Sequence, residues 1–210
     1  MHLMQSRIIQ PSTLALYKFE NNGDDSSANG YNLATQGTVP YTSDYKCPIN
    51  SDVSAGQFTA TNYFLGPANL NTRLTGMSVY TIEFYLYLTS YAGNPTIVQF
   101  VNSLGNNQIQ VRAGTTKGTI RWWANNVETN TAEIFVLNQW NHIAVTSNGT
   151  QRTLYYNNNI ALGPGTLAGA FGTVTSVRIG NPTWFGEYVT GYLDNFRISN
   201  VCRTSFPTLD

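Results

Sequence analysis

The acidic side chains that could perform acid–base chemistry are few and stand apart from one another. A retaining glycosidase uses two carboxylates about 5 to 5.5 Å apart, which on one strand requires two nearby acids on the same face. Glu83 is instead the single acid of its segment, and Glu128, Glu133 and Glu187 are each isolated. No residue pattern supports a Ser/His/Asp or Cys/His triad either. The sequence therefore predicts a binding or structural module and not an enzyme.

One acid stands inside a segment that otherwise has the pattern of a β-strand. Asp194 lies within GYLDNFRIS, residues 191–199. Asp is depleted from strands, because its side chain competes for the backbone groups in turns. An ion pair with Arg197 or the capping of a loop would each explain its position. We therefore expect Asp194 to hold a specific partner in the folded chain.

Aromatic side chains are well suited to bind sugars, since a ring stacks on C–H bonds while polar neighbours bind hydroxyl groups. Alternation along the segment TIRWWAN predicts Trp122 in the core and Trp123 on the outer face. Trp184, Phe185 and Tyr188 lie close together before the last predicted strand. Trp123 and these three residues are the candidate ligand-binding residues. Covering the ends of the domain, or contacting a second subunit of a homo-oligomer, would suit them equally.

Metal and thiol chemistry has little local support. His142 has no cysteine or second histidine near it in the sequence, so we expect a structural histidine. Cys47 and Cys202 are too few for a disulfide framework or a cysteine-built zinc site. Two free thiols are favoured over a single disulfide bridge.

The composition argues against several classes of partner. Eleven basic residues balance eleven acidic residues, so there is no net charge to attract nucleic acid or an anionic membrane. We also find no apolar run long enough for a signal peptide or a membrane span. The sequence therefore predicts no nucleic-acid partner, no membrane insertion and no export by a leader of its own.

Apolar residues alternate with polar ones at the period of β-strands along most of the chain. The clearest predicted strand is 79–88, and others are predicted at 13–20, 96–101, 107–113, 118–124, 140–147, 153–157 and 174–180. Turns rich in Asn and Gly separate them, and no helix is predicted between them. Short strands at this spacing predict an all-β, two-sheet antiparallel sandwich over residues 13–210, preceded by an N-terminal arm of residues 1–12.

Four segments, in this order, resemble the laminin-G-like branch of the concanavalin A-like lectin/glucanase superfamily. They are LALYKFENNGDDSSANGYN, YTIEFYLYL, WNHIAVTSNGTQRTLYYNNN and GYLDNFRISNVCRTS. The resemblance extends over residues 13–206 and implies a jelly-roll sandwich of two curved sheets.

The resemblance also implies a structural calcium ion near the join between the first and last strands. Acids of the first loop and the acid of the closing strand would hold it. The expected ligands are Glu20, Asn22, Asp25 and Asp194, with Asp24 less favoured. Calcium takes about six to eight oxygen ligands, which carboxylates, Asn and backbone carbonyls supply. Ordinary turn roles for Asp24 and Asp25 are the alternative.

The same superfamily includes glucanases and lyases, but their Glu-x-Asp-x-x-Glu, Gln-x-His and Tyr-x-Lys signatures are absent from this chain. The ending FRISNVCRTSFPT is similar to that of laminin-G-like domains common in tailed-bacteriophage virion proteins, such as tail fibres and head decorations. The resemblance implies a non-catalytic, lectin-like virion module, assembled in the host cytoplasm, that contacts glycans or other virion proteins. A bacterial carbohydrate-binding module or adhesin domain, extracellular or on the cell surface, is the alternative. A glycoside hydrolase or lyase is less favoured.

Overall fold

The computed structural model describes residues 12–49, 52–125, 127–166, 170–182 and 186–207. Within these ranges the elements are β1 (Thr13–Tyr17), β2 (Ala34–Gln36), β3 (Tyr41–Thr42), β4 (Ala55–Phe58), β5 (Tyr63–Leu65), α1 (Ala68–Leu74), β6 (Val79–Leu88), β7 (Thr96–Asn102), β8 (Asn107–Arg112), β9 (Gly118–Ala124), β10 (Val127–Phe135), β11 (Asn141–Asn148), β12 (Arg152–Tyr156), β13 (Asn159–Gly165), β14 (Val174–Ile179) and β15 (Gly191–Ser199).

The strands form two antiparallel sheets, which confirms the predicted all-β sandwich. The eight-stranded sheet has the order β13-β12-β11-β6-β15-β4-β3, with β1 also paired to β15. The seven-stranded sheet has the order β10-β9-β8-β7-β14-β5-β2. The first and last strands of the chain are therefore neighbours, and the two sheets contain strands from all along the sequence.

The core lies between the sheets because alternate residues of each strand point inward. Contacts between aromatic rings join the two layers. The Phe58 ring of β4 lies 5.8 Å from the Phe64 ring of β5, and the Tyr80 ring of β6 lies 6.2 Å from the Trp122 ring of β9. All four side chains are buried, so the layers are held at fixed separation by large apolar groups.

The expectation that no helix interrupts the strands was wrong. The segment α1 is helical because Leu70 and Leu74, four residues apart, lie on one face and are both fully buried. The short strands β2, β3, β4 and β5 were also not predicted, since two to four residues carry too little periodicity to be recognised. The edge strands β10 and β13 were missed as well, because they bury few side chains.

Two segments cover the outer face of the eight-stranded sheet. Cys47 and Ile49, in the loop that follows β3, pack against Tyr85. The tail that follows β15 returns across the sheet, where the Phe206 ring lies 5.1 Å from His142 and 5.0 Å from Tyr155. Among the residues that the structure describes, no helix is long and apolar enough to cross a membrane.

Candidate functional site

The outer face of the seven-stranded sheet carries two rows of polar side chains. Directly opposed residues of neighbouring strands point to the same side of a sheet. The first row is Gln99, Gln108, Trp123 and Glu128, and the second is Thr96, Gln110, Arg121 and Asn130. We call these eight residues the polar face.

Hydrogen bonds hold the centre of the polar face in one arrangement. The side-chain oxygen Oε1 of Gln110 accepts bonds from Arg121 Nη1 at 2.9 Å and from Arg112 Nε at 3.0 Å. The Gln110 amide donates to Thr96 Oγ1 at 3.1 Å, and this hydroxyl donates to Glu187 Oε2 at 3.1 Å. Gln110 is fully buried although it lies on an outer face, so its orientation is fixed before any ligand arrives.

Charges on the polar face are balanced locally. Glu128 forms ion pairs with Arg121 at 3.0 Å and with Arg112 at 3.2 Å. The hydrogen bond from Asn130, together with the two arginines, lowers the pKa of Glu128 below its ordinary value, against a smaller effect of burial. Glu128 is therefore an ionised acceptor at neutral pH and is unsuited to act as a general acid.

An aromatic ring and an unsatisfied acceptor lie side by side on this face. Trp123 is half-buried, and the Arg121 guanidinium lies over its ring at 4.4 Å from the centroid. Its cross-strand neighbour Gln108 is buried, and the side-chain oxygen Oε1 of Gln108 has no hydrogen-bond partner within the described parts of the chain. This oxygen is closed off from solvent, so the polar groups beside Trp123 that a ligand can reach are those of Glu128 and Asn130.

The structure places the predicted ligand-binding residues as follows. Trp123 lies on the polar face, and Trp122 is buried in the core as expected. Tyr188 is half-buried and follows Glu187 in the chain. The backbone oxygen of Glu187 accepts a bond from Thr96 N at 2.9 Å, so this segment lies beside the polar face. Trp184 and Phe185 lie outside the described residues.

Asp194 is fully buried at a β-bulge, which explains an acid in a strand. The pairing of β15 with β6 shifts register between Asp194 and Arg197, and Asn195 has a left-handed backbone with φ of 49°. The bulge allows two successive side chains to converge, because the Asn195 amide donates to Asp194 Oδ1 at 3.0 Å and to Asp52 Oδ2 at 2.5 Å. Asp194 Oδ2 also accepts a bond from Cys47 N at 3.3 Å, so it caps that loop.

Three acids meet around this bulge, and we call Glu20, Asp52 and Asp194 the acid cluster. Burial, repulsion from Asp52 and a smaller repulsion from Glu20 raise the pKa of Asp194 to about 8, while the backbone N–H groups of Asn195 and Cys47 oppose the shift. Glu20 accepts bonds from Val53 N at 3.0 Å and Ser54 N at 3.1 Å. Asp52 was missed by sequence reasoning, because it lies far along the chain from both partners and has no pattern around it.

The other predicted calcium ligands do not join the acid cluster. Asp25 Oδ1 accepts bonds from Leu16 N and Ser27 N, and Oδ2 accepts bonds from Ser27 Oγ and Tyr31 N. Asn22 Oδ1 accepts a bond from Asp24 N at 3.0 Å. These contacts give Asp25 the role of a loop residue, which was the alternative, and Asn22 bonds to Asp24 within the same loop. Arg197 likewise pairs with Glu83, at 3.2 Å, and not with Asp194.

The side-chain donors of the acid cluster are all carboxylate oxygens, the donor type that calcium prefers. As arranged, no group of three or more His, Cys, Asp or Glu side chains in the described residues is placed to hold a metal ion. The carboxylates accept backbone N–H bonds instead. The donor types fit calcium, and the buried mutual repulsion is the kind that a cation relieves.

The two antiparallel sheets define a concanavalin A-like sandwich. The chain belongs to the laminin G domain family of the concanavalin A-like lectin/glucanases superfamily, whose model matches residues 58–205. A search of the curated proteins found no match.

Solved structures share the fold at low identity. Domain 4 of AbnA, an extracellular arabinanase from Geobacillus stearothermophilus solved in complex with arabinotriose, is 16% identical with a TM-score of 0.68, over 91% of this chain and 93% of that one. Two structures of the binding domain of botulinum neurotoxin DC also match. The complex with rat synaptotagmin II is 12% identical with a TM-score of 0.65, and the complex with SialylT is 14% identical with a TM-score of 0.62. Those two alignments cover 91% and 92% of this chain but only 49% of each neurotoxin chain. This chain therefore spans about half the length of the neurotoxin binding domain.

Proposed function

We propose that this domain is a non-catalytic carbohydrate-binding module whose glycan site is the polar face. The observation that carries the proposal is the half-buried Trp123 ring beside the accessible polar groups of Glu128 and Asn130. A sugar offers an apolar C–H face for the ring and hydroxyl groups for the carboxylate and the amide, so a single ligand type suits both.

The bound ligands of the structural neighbours support this choice. The arabinanase domain was solved with arabinotriose and a neurotoxin binding domain with SialylT, which are both carbohydrates. A protein receptor is the second candidate, since another neurotoxin domain was solved with synaptotagmin II. The small polar groups of the face favour the carbohydrate.

The charge state of the polar face supports binding without turnover. A glycosidase needs one carboxyl that stays protonated to serve as the acid. Glu128 is paired with two arginines and its pKa is lowered, which is the opposite of that requirement.

A glycan array followed by titration calorimetry tests the proposal. We expect hits among neutral oligosaccharides, and Trp123→Ala should weaken the best of them at least tenfold. Tyr45→Ala is the matched control, because Tyr45 is 38% exposed on the other sheet, where it stacks on Tyr192. An array without hits, or equal losses in both variants, would refute a glycan site on the polar face.

We also propose that the acid cluster binds a structural calcium ion, held by Glu20, Asp52 and Asp194. Calcium would neutralise the repulsion that raises the pKa of Asp194, and it would stabilise the native state by linkage. At a calcium concentration about one hundred times Kd, the gain is about 2.7 kcal/mol.

Melting curves with calcium and with chelator test this ion. The wild-type chain should melt at a lower temperature with chelator, and Asp194→Asn should lose most of that difference. Asp25→Asn is the control, because it breaks bonds of the first loop whether or not calcium is present. It should lower the melting temperature by the same amount with calcium and with chelator. If chelator leaves the melting temperature of the wild-type chain unchanged, the acid cluster does not bind calcium.

We propose further that the domain belongs to a bacteriophage virion, as a tail-fibre or head-decoration module, with a bacterial adhesin or carbohydrate-binding module as the alternative. The support is the resemblance of the closing segment 196–208 to phage laminin-G-like domains. Labelling purified particles with an antibody to the domain distinguishes the two. Labelled virions would support the first, and labelled bacterial surfaces the second.

A further inference from the structure

A cavity of about 130 Å³ lies between the two sheets at the side of the sandwich where β10 and β13 form the edges. Its wall on the side of the eight-stranded sheet is a row of three apolar side chains, because Val145 lies opposite Leu154 and Leu154 lies opposite Leu162. At about 4.8 Å between neighbouring strands, this row runs inward from the edge for roughly 10 Å. Gly163 also lines the cavity and is exposed, so the space opens to solvent at the edge strand β13.

The cavity exists because an inward-facing position of β13 has no side chain. Gly165 lies directly opposite Arg152, which is 8% exposed and reaches the Trp122 ring of the other sheet, so a side chain at position 165 would also point inward. Gly165 lines the cavity, and a Cβ built on it has no atom within 4 Å. Glycine inside a strand often marks a place that a ligand approaches closely. The space for a ligand therefore follows from the residue at this position.

The polar groups beside the cavity are engaged with other parts of the fold. The Arg152 guanidinium bonds to the Tyr80 hydroxyl, and its carbon lies 5.4 Å from the centroid of a Trp122 ring. The Thr129 hydroxyl donates to the Trp122 backbone oxygen at 3.2 Å. The lining therefore presents almost only carbon to a ligand. A charged ligand would lose its hydration in this space without compensation, so the site selects neutral, apolar groups.

We propose that this cavity is a second binding site, which takes the end of a neutral alkyl chain and leaves the polar end of the ligand in solvent beside Gly163. An engineered apolar cavity of roughly 150 Å³ binds benzene, so a space of this size holds about six carbon atoms. A chain fits better than a free ring, because the apolar row runs inward from an open edge. The site is separate from the polar face, because Trp122 and Trp123 point to opposite sides of β9.

Straight-chain alcohols from propanol to octanol, titrated into the full chain and followed by amide chemical shifts, test the site. We expect saturable shifts at β9, β12 and β13. Affinity should rise about fourfold for each CH₂ group that enters the cavity. It should stop rising at about six carbons, when the space is full. Shifts that do not saturate, or an affinity that rises equally through the whole series, would overturn the proposal, because adsorption to the surface behaves in that way.

A variant that fills the cavity locates the binding. Gly165→Leu adds a side chain where no atom lies within 4 Å of a built Cβ, so the melting curve should stay cooperative while hexanol binds at least tenfold more weakly. Asn159→Leu is the matched control, because Asn159 is exposed on the same strand and does not line the cavity. Equal affinities of the two variants for hexanol would place the binding elsewhere and overturn the proposal.

A second variant enlarges the same space and gives an independent readout. Leu162→Ala shortens a half-buried side chain of the apolar row. The affinity of this variant should therefore stop rising at a longer alcohol than that of the wild-type chain. An unchanged limiting length, or binding of benzene without binding of hexanol, would contradict an alkyl-chain site.

Discussion

At the scale of single residues, Glu83 shows how this chain buries a charge. Its carboxylate lies under the C-terminal tail and forms ion pairs with Arg203 and, at 3.2 Å, with Arg197, while His142 Nε2 is 3.5 Å away. Burial alone would raise the pKa of Glu83, but His142 and the two arginines hold it below its ordinary value. The acid is therefore an anchor for the tail and is not available for chemistry.

Replacing Glu83 with Gln should lower the free energy of unfolding by about 3 kcal/mol. The change leaves two largely buried arginines without their counter-charge, and breaking a buried pair from one side is costly. Glu128→Gln is the matched control, because Glu128 also pairs with two arginines but is 31% exposed. It should cost only about 0 to 1 kcal/mol. Urea unfolding curves measure both, and equal losses would contradict the argument.

The stability difference between wild type and Glu83→Gln should depend on pH because the pKa of Glu83 is lowered. A carboxyl with a depressed folded pKa contributes stability that is fully present above its ordinary pKa of 4.5 and is lost as pH falls towards the folded value. The stability difference between wild type and Glu83→Gln should therefore be constant from about pH 8 to 5 and narrow below about pH 4.5. A difference that widens in acid would show that Glu83 is not held ionised.

At the scale of elements, the join after β14 depends on a residue without a side chain. Gly180 has φ of +97°, and a Cβ built there would lie 2.1 Å from the Phe58 ring of the opposite sheet. Its backbone also bonds Ile97 and Val189, so the segment cannot move away freely. The position of Gly180 therefore fixes where the following segment begins. Glu187 of that segment accepts a bond from Thr96 on the polar face.

Alanine substitutions should separate backbone strain from the clash at this join. Gly76 has φ of +74° and no atom within 4 Å of a built Cβ, so Gly76→Ala should cost about 1 kcal/mol from strain alone. Gly180→Ala adds the contact with Phe58 and should cost about 1 to 3 kcal/mol more. Thermal unfolding of the two variants gives the comparison. Equal costs would mean that the Phe58 ring moves aside without penalty.

Strands with a clear alternation were predictable from sequence, and the sites were predictable only in part. Alternation gave β6 and β9 their observed bounds, whereas the edge strands β10 and β13 bury few side chains and were missed. Gln108 alternates with Ile109, so its outward position was readable, but the row it forms with Trp123 depends on strand pairing. The acid cluster required Asp52, which reaches Asp194 only through the fold.

At the scale of the whole molecule, the balance of charge governs how binding responds to salt. Eleven acids and eleven bases leave no net charge, and the charges of the polar face are paired with one another. A neutral oligosaccharide should therefore bind with an affinity that changes less than about twofold between roughly 0.05 and 0.5 M salt. Titration calorimetry at the two salt concentrations measures this. A strong salt dependence would indicate an anionic ligand.

The pairing of β1 with β15 also has a consequence for the order of folding. Ser12 O accepts a bond from Asn200 N at 2.9 Å, so the start of β1 lies beside the end of β15. The tail that follows β15 then crosses the eight-stranded sheet until Phe206 packs against His142 and Tyr155. Because β1 and β15 are the first and last strands of the chain, their pairing closes the longest loop of the fold, which carries the largest entropy cost of loop closure. We therefore expect this pair to form late, after the hairpins between strands that are neighbours in sequence.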